Sequence, residues 1–207
     1  MQKINYGRML DEKLAELEKN GEKPSLLLHA CCAPCSSHTL LFLYGRFDIT
    51  VYFCNPNIAP ESEYEYRKNE LKRLIAELQL DVKMIDEDYD PSPFYKLAAG
   101  LENIPERGER CMRCIEYRLR KTGILAAESG FDYFTTTLTI SPHKDHEFIN
   151  SCGGKLAEEL GVKYLFSDFK KHDGYKHSIE LSRTYNLYRQ NYCGCIYSKR
   201  VSESENG

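Results

Sequence analysis

The sequence predicts an α/β fold: a Rossmann-like parallel sheet in the order 3-2-1-4-5 with helices on both faces. Three observations carry that expectation. Short apolar or β-branched runs alternate along the chain with longer segments of helical period. Nothing in the composition marks a second domain, so 1–200 reads as one unit and 201–207 as a loose polar tail. The groups able to do chemistry leave the ends of the first and fourth runs: three cysteines after Leu26-Leu27-Leu28, and Thr139, Ser141 and His143 at the end of YFTTTLTI. Parallel sheets bind ligands outside the carboxyl ends of their strands, at the switch in strand order. With strands one and four as neighbours, those groups share one crevice.

The elements follow in order. Residues 5–19 have helical spacing, with Met9, Leu14 and Leu17 apolar among charges, and Gly21 and Pro24 end the run. Residues 25–30 are the first strand. Pro34 reads as a turn residue before a helix over 35–45. DITVYFC, 48–54, is a second buried strand. The clearest helix is 62–79, where Leu71, Leu74, Ile75 and Leu78 form one apolar stripe. A third strand over 81–87 precedes a connection with three prolines and two glycines, which reads as long and mostly irregular. It delivers Cys111 and Cys114 to the start of a helix running to 129. The fourth strand spans 133–140, a helix 145–160, the fifth strand 163–167 and the last helix 176–190, with Leu181, Tyr185 and Tyr188 on one face.

Composition narrows the function classes. Apolar residues make up 42% and charged ones 29%, which suits a soluble globular chain, and no apolar run approaches the length of a membrane span. No export signal is visible, so the expected compartment is the cytoplasm. There, nine cysteines point to metal or redox chemistry rather than to a disulfide scaffold. A net charge of −3 gives no global basic field, but 170–200 carries seven Lys/Arg against two acidic residues, and 105–121 six against three. Both segments hold cysteine pairs, so an anionic partner near the thiols is expected.

The cysteines fall into three groups: Cys31, Cys32 and Cys35 in HACCAPC; Cys111 and Cys114; and Cys193 and Cys195. Two CxxC pairs can supply four thiolates to zinc or to an iron–sulfur cluster. The extra thiols exceed what zinc needs and favour an electron-transfer site. Neighbouring residues at a strand exit are expected to point apart, so Cys31 and Cys32 would reach different irons; Cys35 in place of Cys31 stays open. CAPC alone would also suit a thioredoxin-like thiol oxidoreductase, and two CxxC pairs a zinc-stabilised nucleic-acid-binding module. Cys54 and Cys152 read as core. His29 reads equally as a buried structural histidine or a donor to a cluster sulfur. Ser141 to Asp145 offers a ligand, a proton donor and an anion contact, or simply a turn with an Asp cap. Asp86 to Asp90 holds four carboxylates in five residues, a solvated run or one hard metal ligand.

Taken together, HACCAPC, RCMRCIEYRL, TTTLTISPHKD and NYCGCIYS resemble the epoxyqueuosine reductase QueH family, from about Leu26 to Ser198. The resemblance implies a fold similar to adenine-nucleotide α-hydrolase-like Rossmann variants. Cysteines occupy the place of a phosphate loop, so ATP binding is not expected. It implies cobalamin-independent reduction of the epoxide of epoxyqueuosine in tRNA to queuosine. It also implies a [4Fe–4S] cluster on Cys31, Cys32, Cys111 and Cys114, a redox-active pair in Cys193 and Cys195, and an electron donor. An adjacent mononuclear iron would fall to Cys35 with Cys193, Cys195 or an Asp. The reaction consumes two electrons and two protons, and His143 is a candidate proton source. Recognition of a tRNA anticodon loop would combine phosphate contacts with stacking on Tyr185, Tyr188, Tyr192 or Tyr197.

Overall fold

The computed structural model describes residues 4–199. Five parallel strands form one sheet in the order β3-β2-β1-β4-β5, as expected: β1 (Ser25–His29), β2 (Asp48–Phe53), β3 (Lys83–Asp86), β4 (Tyr133–Thr136) and β5 (Lys163–Tyr164). β1 lies at the centre, with Leu28 opposite Val51 on one side and Thr135 on the other. Its side chains alternate between two cores. Leu26 and Leu28 face α1 (Tyr6–Asn20), α2 (Ala33–Leu43) and α3 (Glu61–Glu77), while Leu27 faces α5 (Glu109–Glu128) and α6 (His146–Leu160).

Several boundaries differ from the sequence reading, each for a local reason. In α1 the buried stripe is Leu10, Leu14 and Leu17, and Met9 is 37% exposed. The 10, 14, 17 spacing keeps to one helical face, whereas Met9 falls beside it. Pro34 sits inside the first turn of α2, where its fixed φ suits the helix and its missing N–H costs no bond. α2 therefore starts before Cys35. The long connection contains α4 (Ser92–Ala98), two turns that bury Phe94 and Ala98. β4 stops at Thr136, whose hydroxyl accepts from the N–H of Leu138 at 3.1 Å, and 137–140 winds into a 3₁₀ turn. That side-chain bond overrides the β-propensity of the following residues. β5 is likewise only two residues long. α7 (Gly174–Thr184) ends at Tyr185, with Asn186 in the left-handed region, so Tyr188 is not on the helix.

No helix among the described residues is long and apolar enough to cross a membrane. The tail expected at 201–207 lies outside the described residues.

Candidate metal and redox site

The chain leaves the sheet just after β1. The N–H of Ala30 still bonds the Tyr52 carbonyl at 2.9 Å, while its carbonyl accepts from Asn55 Nδ2 at 2.9 Å. Beyond this point the pleat no longer dictates side-chain direction. Cys31 and Cys32 consequently do not point apart: their sulfurs are 3.7 Å from one another. Cys32 is the N-cap of α2 and Cys35 lies in its first turn. The ligand atoms of Cys31, Cys32 and Cys35 all lie within 4.8 Å of one another.

The other two cysteine groups meet each other. Cys111 and Cys114 are three residues apart near the start of α5 and so share a face. Opposite them, Gly194 adopts φ +108°, and a Cβ there would lie 2.9 Å from Ile58 and 3.0 Å from Arg67. Only glycine fits that turn. It brings the sulfurs of Cys193 and Cys195 to 3.6 Å, both within reach of Ser198. All nine cysteines are free thiols.

Two adjoining cavities join these groups. The larger, about 330 Å³, is walled by Cys31, Cys32, Cys35 and Cys193. The smaller, about 20 Å³, lies among Cys111, Cys114, Cys193 and Cys195. Cys193, Arg118 and Lys144 belong to both. Five Lys/Arg side chains and one carboxylate, Glu106, line the larger cavity.

The electrostatics favour a thiolate at Cys31 and at Cys193. Hydrogen bonds from Cys32 and Cys35 draw Cys31 well below the ordinary thiol range, and the bond to Cys31 pushes Cys32 up to about 12. Cys193 is lowered by its hydrogen bond with Cys195 and, against burial, by Lys144. Cys195 is raised in return. Burial opposes the charge of Lys144, but Cys193, Glu106 and Cys111 hold its pKa above the usual value. The donor set fits a metal centre of thiolate ligation: three sulfurs converge, further thiols face them, and cations stand beside them. Asn57 Oδ1 and Arg110 Nε, on the wall of the smaller cavity, are buried without a hydrogen-bond partner.

Other residues singled out from sequence divide clearly. His29 is a core histidine: its Nε2 is 3.2 Å from the Cys54 carbonyl and its Nδ1 2.8 Å from Thr136 Oγ1. A carbonyl only accepts, so Nε2 carries the proton, and burial lowers the pKa to about 4. Thr139 is buried on Ser167, away from the thiols. The 3₁₀ turn instead presents Thr137, whose Oγ1 is 3.6 Å from Cys31 Sγ. Ser141 and His143 are on the cavity rim, and Asp145 caps α6. No carboxylate of the 86–90 run lines either cavity; Asp86 pairs with Lys68 and Lys72, and Glu87 binds Tyr52, Cys54 and Lys121. Cys54 and Cys152 are buried.

The basic segments are less free than their charge suggests. Arg113 pairs with Glu109, Arg120 with Glu159, and Lys170 with Asp168. Of the expected stacking tyrosines, only Tyr192 lines the cavity, with Arg67 over its ring at 5.1 Å. Tyr185 packs on the core, Tyr188 on Tyr66, and Tyr197 on Phe94 and Arg110. Arg67 and Tyr175 have no sequence spacing that links them to the cysteines; Arg118 does, one helical turn after Cys114, but it reads as one charge in a basic run.

A family model described as "Epoxyqueuosine reductase QueH" matches residues 26–201. Relatives of that name include a Streptococcus pyogenes serotype M1 protein, 45% identical over 204 residues, covering 97% of this chain and 80% of its own. A Staphylococcus epidermidis relative is 44% identical over 203 residues, covering 95% and 85%. A Thermotoga maritima relative is 34% identical over 175 residues, covering 84% and 90%. The family match runs through all three cysteine groups, and the chain belongs to the epoxyqueuosine reductase QueH family.

Proposed function

We propose that the thiol-lined cavities are the active site of an epoxyqueuosine reductase, an oxidoreductase of queuosine biosynthesis that deoxygenates the epoxide within tRNA without cobalamin. The observation that supports this most directly is the convergence of seven cysteines from three chain segments on two adjoining cavities. The thioredoxin-like reading leaves five of those seven thiols unused, and the zinc-module reading leaves three.

Removing the epoxide oxygen to leave an alkene takes two electrons and two protons and releases one water. We assign Cys31, Cys32, Cys111 and Cys114 as ligands of a [4Fe–4S] cluster, with Cys35 beside them as a ligand of an adjacent iron. When bound, such a cluster supplies single electrons at a potential set by its surroundings. Cys193 and Cys195 are matched to the overall demand: joining two thiols into a disulfide releases two electrons and two protons. Their sulfurs, 3.6 Å apart, need only a small approach. An electron donor would then restore the dithiol. Lys144, which lines both cavities with Cys193, stabilises its thiolate, and His143 on the rim is placed to give a proton to the developing alkoxide.

The larger cavity suits a nucleotide. Its cations complement phosphate, and Tyr192, backed by Arg67, offers a stacking face. Free thiols and a tRNA substrate fit the cytoplasm.

The test is anaerobic purification with iron, zinc and sulfide analysis, followed by incubation with epoxyqueuosine-containing tRNA and a reductant. Nucleoside mass spectrometry is expected to show queuosine. Colourless protein with one zinc overturns the cluster assignment; an iron-loaded protein that forms no queuosine overturns the activity.

A further inference from the structure

We propose that Arg118 is the fixed countercharge of the thiolate metal centre and holds its reduction potential up. The inference rests on the proposed metal ligation above.

Arg118 is only 5% exposed, one turn beyond Cys114 on α5, and it lines both cavities. Its hydrogen bonds go to neutral partners: Nη1 donates to Asn55 Oδ1 at 3.1 Å, and Nε to the Cys114 carbonyl at 3.4 Å. No carboxylate among the described residues lies within ion-pair distance of it. Arg67 does have such a partner in Glu63, and Arg113 and Arg120 on the same helix have Glu109 and Glu159; Arg110, also buried on α5, is instead held by the carbonyls of Leu101, Glu102 and Ile104. A buried guanidinium cannot shed its proton, so an unpaired one must be compensated in another way. Its surroundings identify the compensation: it lines one cavity with Cys31, Cys32, Cys35 and Cys193 and the other with Cys111, Cys114 and Cys195. Burial opposes its charge and the neighbouring sulfurs favour it.

Asn55 fixes the aim. Its Nδ2 is committed to the Ala30 carbonyl, which leaves Oδ1 for Arg118. Ala30 precedes Cys31, so the guanidinium is tied on one side to the strand exit that carries Cys31. On the other it is tied to the helical turn that carries Cys114. Each electron added to a metal centre between those thiols adds one negative charge. A fixed positive charge in a site of low dielectric favours the reduced state. Removing it disfavours reduction.

The experiment is a mediated titration of iron-loaded protein with dithionite as the reductant, followed by visible absorbance, on wild type, Arg118→Gln and Arg118→Lys. Gln keeps a donor for Asn55 Oδ1 without the charge; Lys keeps the charge. At the wild-type midpoint, where reduced and oxidised forms are equal, Arg118→Gln is expected to be at least about tenfold biased to the oxidised form, about 59 mV for one electron. Arg118→Lys is expected to stay within about threefold of wild type. An iron-loaded Gln variant with the wild-type midpoint overturns the proposal. Should the Gln variant hold no iron, the Lys variant decides: iron retained at a near-wild-type midpoint supports the countercharge, and iron lost from it as well assigns Arg118 to the fold alone. Wild-type protein that binds no redox-active iron instead defeats the metal ligation itself.

Discussion

Cys31 and Cys32 are consecutive, yet their sulfurs lie 3.7 Å apart on one side of the chain. In a strand they would face opposite ways. The sheet ends at His29, and the backbone turns into α2 with Cys32 as its N-cap. The turn makes two neighbouring residues act together on one centre. Cys32→Ala is expected to remove that centre. As-purified protein should lose its brown absorbance and most of its iron, as should Cys111→Ala. Iron content and visible spectra after anaerobic purification check both.

Cys193→Ser and Cys195→Ser are expected to separate the cofactor from turnover. Each should keep near-wild-type iron content and lose queuosine formation by at least about a hundredfold, the scale of a residue that acts only in the chemical step. Iron analysis with single-turnover assays on modified tRNA measures the split. Full activity in either serine variant would remove the dithiol from the reaction.

Arg107 and Arg189 are exposed on the rim of the larger cavity. Arg107 is positioned by the His143 and Pro142 carbonyls, and Arg189 by Ser182 Oγ and the ring of Tyr175. As phosphate contacts, each replaced by Ala should weaken tRNA binding. Each should also lower the slope of log affinity against log salt by about 0.7. Filter binding across a salt series reads both quantities, and an unchanged slope would place the phosphates elsewhere.

His38 on α2 meets His177 on α7, Nδ1 to Nδ1, at 3.0 Å. Burial first, and then His177, lower the His38 pKa from 6.5 to about 4. The unfolded chain therefore takes up a proton below about 6.5 while the folded chain stays neutral until about 4. Stability from this site is complete above pH 6.5 and is lost as pH falls toward 4. After discounting for partial solvent contact, the loss between pH 7.5 and 5 is about 1 kcal/mol. Urea denaturation of wild type and His38→Gln at both pH values should show the gap between them narrowing by that amount in acid.

Much was readable without a structure. The alternation of strands and helices, the placement of Cys31 and Cys32 at the exit of β1, and the pairing of Cys111 with Cys114 follow from hydrophobic period and residue spacing, both local properties of the chain. The strand order follows from requiring the groups at the ends of strands one and four to share a crevice. The family could be read from the same motifs. The sequence did not reveal how the groups combine. The 3₁₀ turn that puts Thr137 beside Cys31 depends on one hydroxyl bond at Thr136. The end of α7 at Tyr185 takes Tyr188 off the helix and leaves Tyr192 at the cavity. The approach of Cys193 and Cys195 to Cys111 and Cys114 spans about 80 residues of chain. Above all, Arg118 reads in sequence as one more surface charge on a basic helix. Only the packing of α5 against the exits of β1 and β2 buries it without a carboxylate. Burial and the identity of neighbours give a charge its meaning, and neither is a property of local sequence.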